Sequence, residues 1–377
     1  MTRRLLPSFC LAALPALLLP VLLAACSGGN EPDPLPPEAM AAVAEDPDVD
    51  REKLARAVDD VFTREGIGET RAVIVLHNGR IAAERYAEGY GPETKFLGWS
   101  MSKTVTAVLT GLLVSEGRLD LDRSPPIDRW QRPGDPRGEI TLRQLLQMRS
   151  GLRHEEKAEP VYTSDEVRMM FLDGRDNMAD WAESQPLEHE PGRVFAYSTP
   201  SAVILADIAA RVLAPEGSPE ERRKAVQDFI DSRLVVPLGM TSLTPEYDRA
   251  GTMIGGAMIW ATARDWGTFG EFLRHGGSVK GAQIVPRGWI DLMKRPSPRA
   301  PDYGAMLWLN RDSETDRQIL APDDMPEDVF AAVGHLGQYI VVSPKRNLTV
   351  VRLGKTDQAD RPALVEALAD VVEVYRR

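Results

Sequence analysis

Apolar residues recur at three- and four-residue steps from Val105 through Val108, Leu109 and Leu112 to Leu113. That period predicts a helix from about Ser100 to the break at Gly117. A second amphipathic stretch, residues 51–65, predicts another helix. Arg71 to Leu76 and Arg80 to Tyr86 read as strands, and the Asn78-Gly79 pair between them predicts a tight hairpin. Residues 120–140 are loop-like, broken by Pro125-Pro126, Pro133-Gly134 and Pro136, and a short helix follows from Leu142 to Met148. From 165 to 236 the pattern is mostly helical, in segments 165–173, 177–184, 200–213 and 220–236. Ala261 to His275 is helical again, and Pro286 sits at the start of a shorter helix reaching Met293. The chain returns to strands at Gln338–Val342 and Leu348–Leu353, then closes with a helix over 359–375. Strands from both chain ends with helices between predict an α/β (α+β) fold: one antiparallel sheet flanked by helices, a largely helical subdomain at roughly 120–250, and a cleft where the two join.

The start of the chain follows different rules. Arg3 and Arg4 precede an apolar run from Leu5 to Leu23, and Pro7, Pro15 and Pro20 weaken that run as a permanent spanning helix. It ends Leu23-Ala24-Ala25-Cys26, which resembles the bacterial lipoprotein box. The resemblance implies cleavage before Cys26 and acylation of that residue, with the protein exported and held by lipid in the bacterial cell envelope, on a periplasmic or extracellular face. A plain cleaved signal with an incidental cysteine is the alternative. Residues 27–50, rich in Pro, Gly and acid, read as a flexible tether, and residues 51–377 as the folded body.

Composition removes several function classes. The formal net charge is -11 over 377 residues, which argues against nucleic acid as a partner. The only cysteines are Cys10 and Cys26, so the body holds no disulfide or thiolate metal site. His77, His154, His189, His275 and His335 show no zinc-binding spacing, and no metal or cofactor is expected.

The chemistry points to Ser100 and Lys103. Three residues apart at a helix start, they share one face, so an amine comes within reach of a hydroxyl. A serine hydroxyl is a weak nucleophile until a base takes its proton, and a lysine serves when its surroundings favour the neutral amine. Leading helix N–H groups would face whatever Ser100 attacks. Taken alone, the same letters also fit a capping serine and a solvated lysine. Two further segments stand out: Pro191–Thr199, which carries Tyr197 at the end of a strand-like run, and Gly334–Tyr339, which opens a strand. Tyr197 also fits a core tyrosine, and His335 a surface turn.

Six blocks in order resemble the serine β-lactamase and penicillin-binding protein clan, in its class C and esterase branch, and are most similar to the 6-aminohexanoate-dimer hydrolase group. They are GWSMSK at 98–103, LLQMRSGL at 145–152, PGRVFAYS at 191–198, VPLGMTS at 236–242, ATARDWGTFGEFL at 261–273 and GHLGQYIVVSP at 334–344. The resemblance implies Ser100 as acylated nucleophile, Lys103 as its base, and Tyr197 as the proton shuttle. It implies an oxyanion hole from the backbone N–H groups of Ser100 and Gln338, with His335, Gly337 and Trp99 around the substrate. Glu155, Glu156 and Tyr162 border that region and read as surface residues; Trp260 and Trp266 read as packing.

Two positions depart from the clan's pattern. Thr199 stands where β-lactamases of this clan usually carry an amide, and His335 where they usually carry a lysine. Both changes spare acyl transfer and remove antibiotic-type recognition. The expectation is an esterase or amidase acting on a small amide or ester, with little β-lactamase activity. The rivals are an inactive envelope lipoprotein that binds peptide or glycan in the same cleft, and a D-Ala-type peptidase or β-lactamase.

Overall fold

The computed structural model describes residues 34–45, 48–315 and 317–376. The signal segment 1–26, with Cys26, and the first part of the expected tether lie outside the described residues. The later part of that tether is not extended. Pro37–Ala41 is a short helix, and Val43 is buried in a β-bridge to Ala83. The folded unit accordingly starts at Leu35, earlier than the expected Arg51.

The sheet is built from both chain ends, as the hydrophobic pattern predicts. Its strands are β1 (Glu69–His77), β2 (Arg80–Tyr86), β3 (Trp308–Leu309), β4 (Phe330–Gly334), β5 (Gln338–Ser343) and β6 (Leu348–Lys355), in the spatial order β2-β1-β6-β5-β4-β3, with every pairing antiparallel. Asn78 and Gly79 take φ of +51° and +77°, the left-handed pair that a two-residue hairpin turn requires. The central strands are buried along nearly their whole length because both faces are covered. Alternation puts Ile74 and Val351 on one face and Val73 and Arg352 on the other. Helix α4 (Ala263–Arg274) packs Gly267 against Ile74, Leu76 and Val351. Helices α1 (Arg51–Thr63) and α5 (Arg361–Glu373) cover the opposite face, and Arg64 just beyond α1 is ion-paired to Asp370 of α5.

In sequence, helix α2 (Ser102–Ser115) and, in the helical part, α3 (Thr199–Leu213) lie between the strands from the two chain ends. Both are buried on nearly all sides, which explains their apolar composition. A small sheet of Lys95–Leu97, Ile259–Thr262 and Thr244–Pro245 ties the approach to α2 to the start of α4. Among the described residues no helix is long and apolar enough to cross a membrane.

Candidate active site

The Ser100 region begins as a 3-10 turn, Trp99–Met101, and continues into α2. Trp99 carries φ +47°, unusual for a residue with a side chain. Its neighbours fix it: the Gly98 N–H donates to Ile259 O at 2.8 Å, and the Ile259 N–H donates to Ser102 Oγ at 3.1 Å. The small sheet therefore sets where Ser100 points. Ser100 opens onto a cleft of about 590 Å³ between sheet and helical part. A neighbouring hollow of about 660 Å³ shares Arg317, Gln318, Ile319 and Pro362 with it but is lined by none of Ser100, Glu156 and Tyr197.

Lys103 is 1% exposed, one turn below Ser100. Its ammonium donates to Ser100 Oγ at 2.8 Å, Thr199 Oγ1 at 2.8 Å and Gly256 O at 2.9 Å, which uses all three protons. Gly256 must be glycine for this approach, because a Cβ there would meet Thr199 Cγ2 at 2.8 Å. The Lys103 amine also lies 4.9 Å from the centre of the Tyr197 ring.

Tyr197 does not sit on a strand. Residues 191–198 form an irregular segment hooked to the Met148 region by Gly192 N–H to Arg149 O at 2.7 Å and Ala196 N–H to Met148 O at 2.9 Å. Ser198 then caps α3, accepting from the Ser201 N–H at 3.0 Å. The Tyr197 ring stacks on Trp308 at 5.5 Å and meets Tyr303 edge-on at 5.9 Å. Its phenol is within interaction range of Ser100 and Lys103. Burial pushes the phenol above its ordinary pKa, while the Lys103 charge and the contacts with Ser100 and Lys103 pull it back.

Glu156 corrects the sequence reading most sharply. Glu155 and Tyr162 are exposed as expected, but the Glu156 side chain turns inward to the floor of the cleft. Its two oxygens accept from the Thr199 N–H at 2.6 Å and the Thr199 hydroxyl at 2.5 Å. Burial pushes its carboxyl up to about 7; Lys103 opposes this and the neighbouring Glu166 adds to it. Glu166, on the helix Asp165–Phe171, is also raised, again chiefly by burial. Two ties hold the loop. His154 links Ser198 Oγ at 2.9 Å to Ala182 O at 3.1 Å, and Glu155 and Asp165 exchange hydrogen bonds at 2.7 and 2.8 Å. No periodicity marks Glu156, and nothing local in its sequence sets it apart from Glu155.

The opposite wall is the end of β4 and its turn: Val333, Gly334, His335 and Leu336. His335 meets Trp99 edge-on at 5.2 Å. Burial, Arg361 and Lys157 all lower its pKa, so the imidazole stands neutral at pH 7. Gln338 is elsewhere. It begins β5, pairs with Gly334, and is absent from the cleft lining. Its carboxamide nitrogen donates to His335 O at 2.9 Å, Leu336 O at 3.1 Å and Gly354 O at 2.7 Å. Gly337 also faces inward rather than toward a substrate. Its φ is +76°, and a Cβ there would meet Arg352 Nη1 and Leu364, each at 2.8 Å. Further out, Lys157, Arg317 and Arg361 line the cleft, with Arg317 paired to Asp302 at 2.9 Å. Trp266 is buried, as expected of packing. Among the described residues no group of three or more His, Cys, Asp or Glu side chains could hold a metal.

Residues 58–373 match the sequence profile of the family described as Beta-lactamase. The 6-aminohexanoate-dimer hydrolase of Paenarthrobacter ureafaciens is 24% identical over 329 residues, spanning 85% of this chain and 81% of that protein. A Bacillus anthracis structure assigned provisionally to the same hydrolases superposes with a TM-score of 0.64 at 22% identity, covering 81% of this chain and 79% of that one. A family VIII carboxylesterase superposes with a TM-score of 0.60 at 17% identity, covering 85% and 97%. At these identities the structural likenesses establish the fold.

Proposed function

The chain belongs to the beta-lactamase family of serine hydrolases, and on that footing we propose that it cleaves a small amide or ester through an acyl-enzyme on Ser100. The observation that carries this reading is the 2.8 Å contact between the Lys103 amine and Ser100 Oγ, at the floor of an open cleft with Tyr197 beside both. Lys103 takes the Ser100 proton as the hydroxyl attacks the substrate carbonyl. Tyr197, in reach of both groups, passes a proton to the leaving group and later activates water. The Ser100 N–H, in the first turn of the nucleophile helix, receives the developing oxyanion. The second donor expected at Gln338 is better sought at the end of β4, where Gly334 and His335 line the cleft facing Ser100.

The family's amide and lysine positions are occupied here by Thr199 and a neutral His335, which favours plain esters or linear amides over β-lactams. The residue 1–26 pattern supports export with a lipid anchor at Cys26. A fluorophosphonate probe should label the wild type and not Ser100→Ala. A panel of p-nitrophenyl esters, linear amides, a cephalosporin and a D-Ala-D-Ala peptide then ranks the substrates. Failure of the wild type to label would return the cleft to a binding role. Palmitate labelling lost in Cys26→Ala tests the anchor.

A further inference from the structure

Before Lys103 can accept the Ser100 proton it must give up one of its own. All three of its ammonium protons are committed to acceptors, and the acceptors differ in kind. Gly256 offers a peptide carbonyl, which cannot hold a proton at these pH values. Ser100 is the group to be deprotonated. Thr199 is the remaining route, because its hydroxyl accepts from Lys103 at 2.8 Å and donates to Glu156 at 2.5 Å. Thr199 itself is fully buried, so bulk water does not compete for this hydroxyl.

We propose that Glu156 is a positioning residue that takes up, through the Thr199 hydroxyl, the proton Lys103 must lose before it acts on Ser100. The reading rests on the acyl-enzyme role of Ser100. The transfer is balanced: a proton passes from Lys103 Nζ to Thr199 Oγ1 as the hydroxyl proton passes to Glu156 Oε1. The ammonium–carboxylate pair becomes a neutral amine and a carboxylic acid, and threonine is unchanged. The neutral amine then accepts the serine proton.

The surroundings suit this exchange. Lys103 from α2, Glu166 from the helix Asp165–Phe171, Tyr197 before α3, and Tyr303 beside Tyr197 all act electrostatically on Glu156 or feel its charge. Lys103 and the Thr199 hydroxyl act on Glu166 as well, and Lys157 does so from the cleft side. Lys103 favours the ionised Glu156, and Glu166 with burial favours the protonated one. The carboxyl thus titrates near neutrality, where a proton acceptor for a lysine is effective in both directions. Thr199 in place of an amide makes the route possible, since a side-chain amide does not relay a proton as a hydroxyl does.

The test is the pH profile of kcat/KM on a p-nitrophenyl ester, with fluorophosphonate labelling of Ser100 alongside. The wild type should label and lose activity as pH falls through about 7, the value to which Glu156 is raised. Glu156→Gln should lower kcat/KM at pH 8 by about 100-fold and abolish that limb. Thr199→Val should reproduce the loss, and Thr199→Ser should recover most of it. Glu166→Gln leaves the three-residue chain in place and removes a like charge, so it should move the limb to lower pH. A purely structural cap on α3 would change the amount of folded enzyme without moving the limb. An unmoved limb in both glutamine variants, with normal labelling, overturns the relay alone. No labelling in the wild type overturns the relay together with the acyl-enzyme reading.

Discussion

On one wall of the cleft, Ser100, Thr199, Tyr197 and Glu156 converge on a single buried amine. On the other wall, β4 and its turn present Val333 to Leu336, with His335 the one ionisable side chain among the four, and Arg352 lies behind them. There Arg352 donates to Gly337 O at 2.9 Å and to Thr70 Oγ1 at 3.0 Å, while Gln338 fills the hairpin. Burial lowers the Arg352 guanidinium to about 9. On the function proposed, the first wall moves protons and the second fixes distances. Substitutions should therefore fail differently on the two sides: the first in pH-dependent chemistry, the second in geometry and stability.

The largest effect is expected at the centre of the first wall. Lys103→Met keeps the length and apolar stem and removes the amine. It should lower kcat/KM by about 10⁴-fold or more while the enzyme still binds substrate, because the residues of such a site act as a unit. Steady-state kinetics with a thermal melt distinguish this from misfolding. Retained activity would break the assignment of that wall to chemistry.

The second wall gives a smaller effect with another signature. Gln338→Ala deletes the amide that holds three carbonyls and also accepts from the Gly354 N–H at 3.0 Å. Leaving such buried groups unpaired costs about 1–3 kcal/mol each before relaxation. A shift of the turn by about 1 Å should cost roughly 10- to 100-fold in activity. The pH limb should stay where it is in the wild type. A moved limb would show that the two walls are not separable.

The same contrast explains what the sequence reveals. The Ser100–Lys103 pair is legible because one helical turn is a local fact, and the β1–β2 hairpin is legible because Asn78-Gly79 dictates its own geometry. Strand β4 escapes because Phe330-Ala-Ala-Val-Gly334 is short, small and without alternation. The strands Lys95–Leu97 and Ile259–Thr262 are too short for a period, and the second merges with the helix that follows it. The run before Tyr197 alternates like a strand but finds no partner strand among the described residues, so tertiary contacts to Met148 and Arg149 decide it. Order along a motif places Gln338 near Ser100, yet it does not say which arm of the hairpin lines the cleft. Glu156 is the furthest from legible. Its placement depends on Thr199, 43 residues away, and on the ties of His154 and Glu155.

The smallest effect separates the walls through stability. The Glu156 carboxyl is raised in the folded protein from an ordinary 4.5 to about 7. Across that window the native state holds a proton the unfolded chain has released, so stability falls as pH rises and remains lower above it. Glu156→Gln cannot ionise and escapes this decline. It does weaken the cap on the Thr199 N–H, so at pH 5 the variant should be no more stable than the wild type. Between pH 5 and pH 8 its stability relative to the wild type should rise by about 2 kcal/mol, and Gln338→Ala should show no such drift. Urea unfolding of the three proteins at both pH values reads this difference directly. Parallel curves for Glu156→Gln and the wild type would mean that ionising this carboxylate costs the fold nothing, and the chemical wall would then lack the electrostatic tension that sets it apart from the sheet.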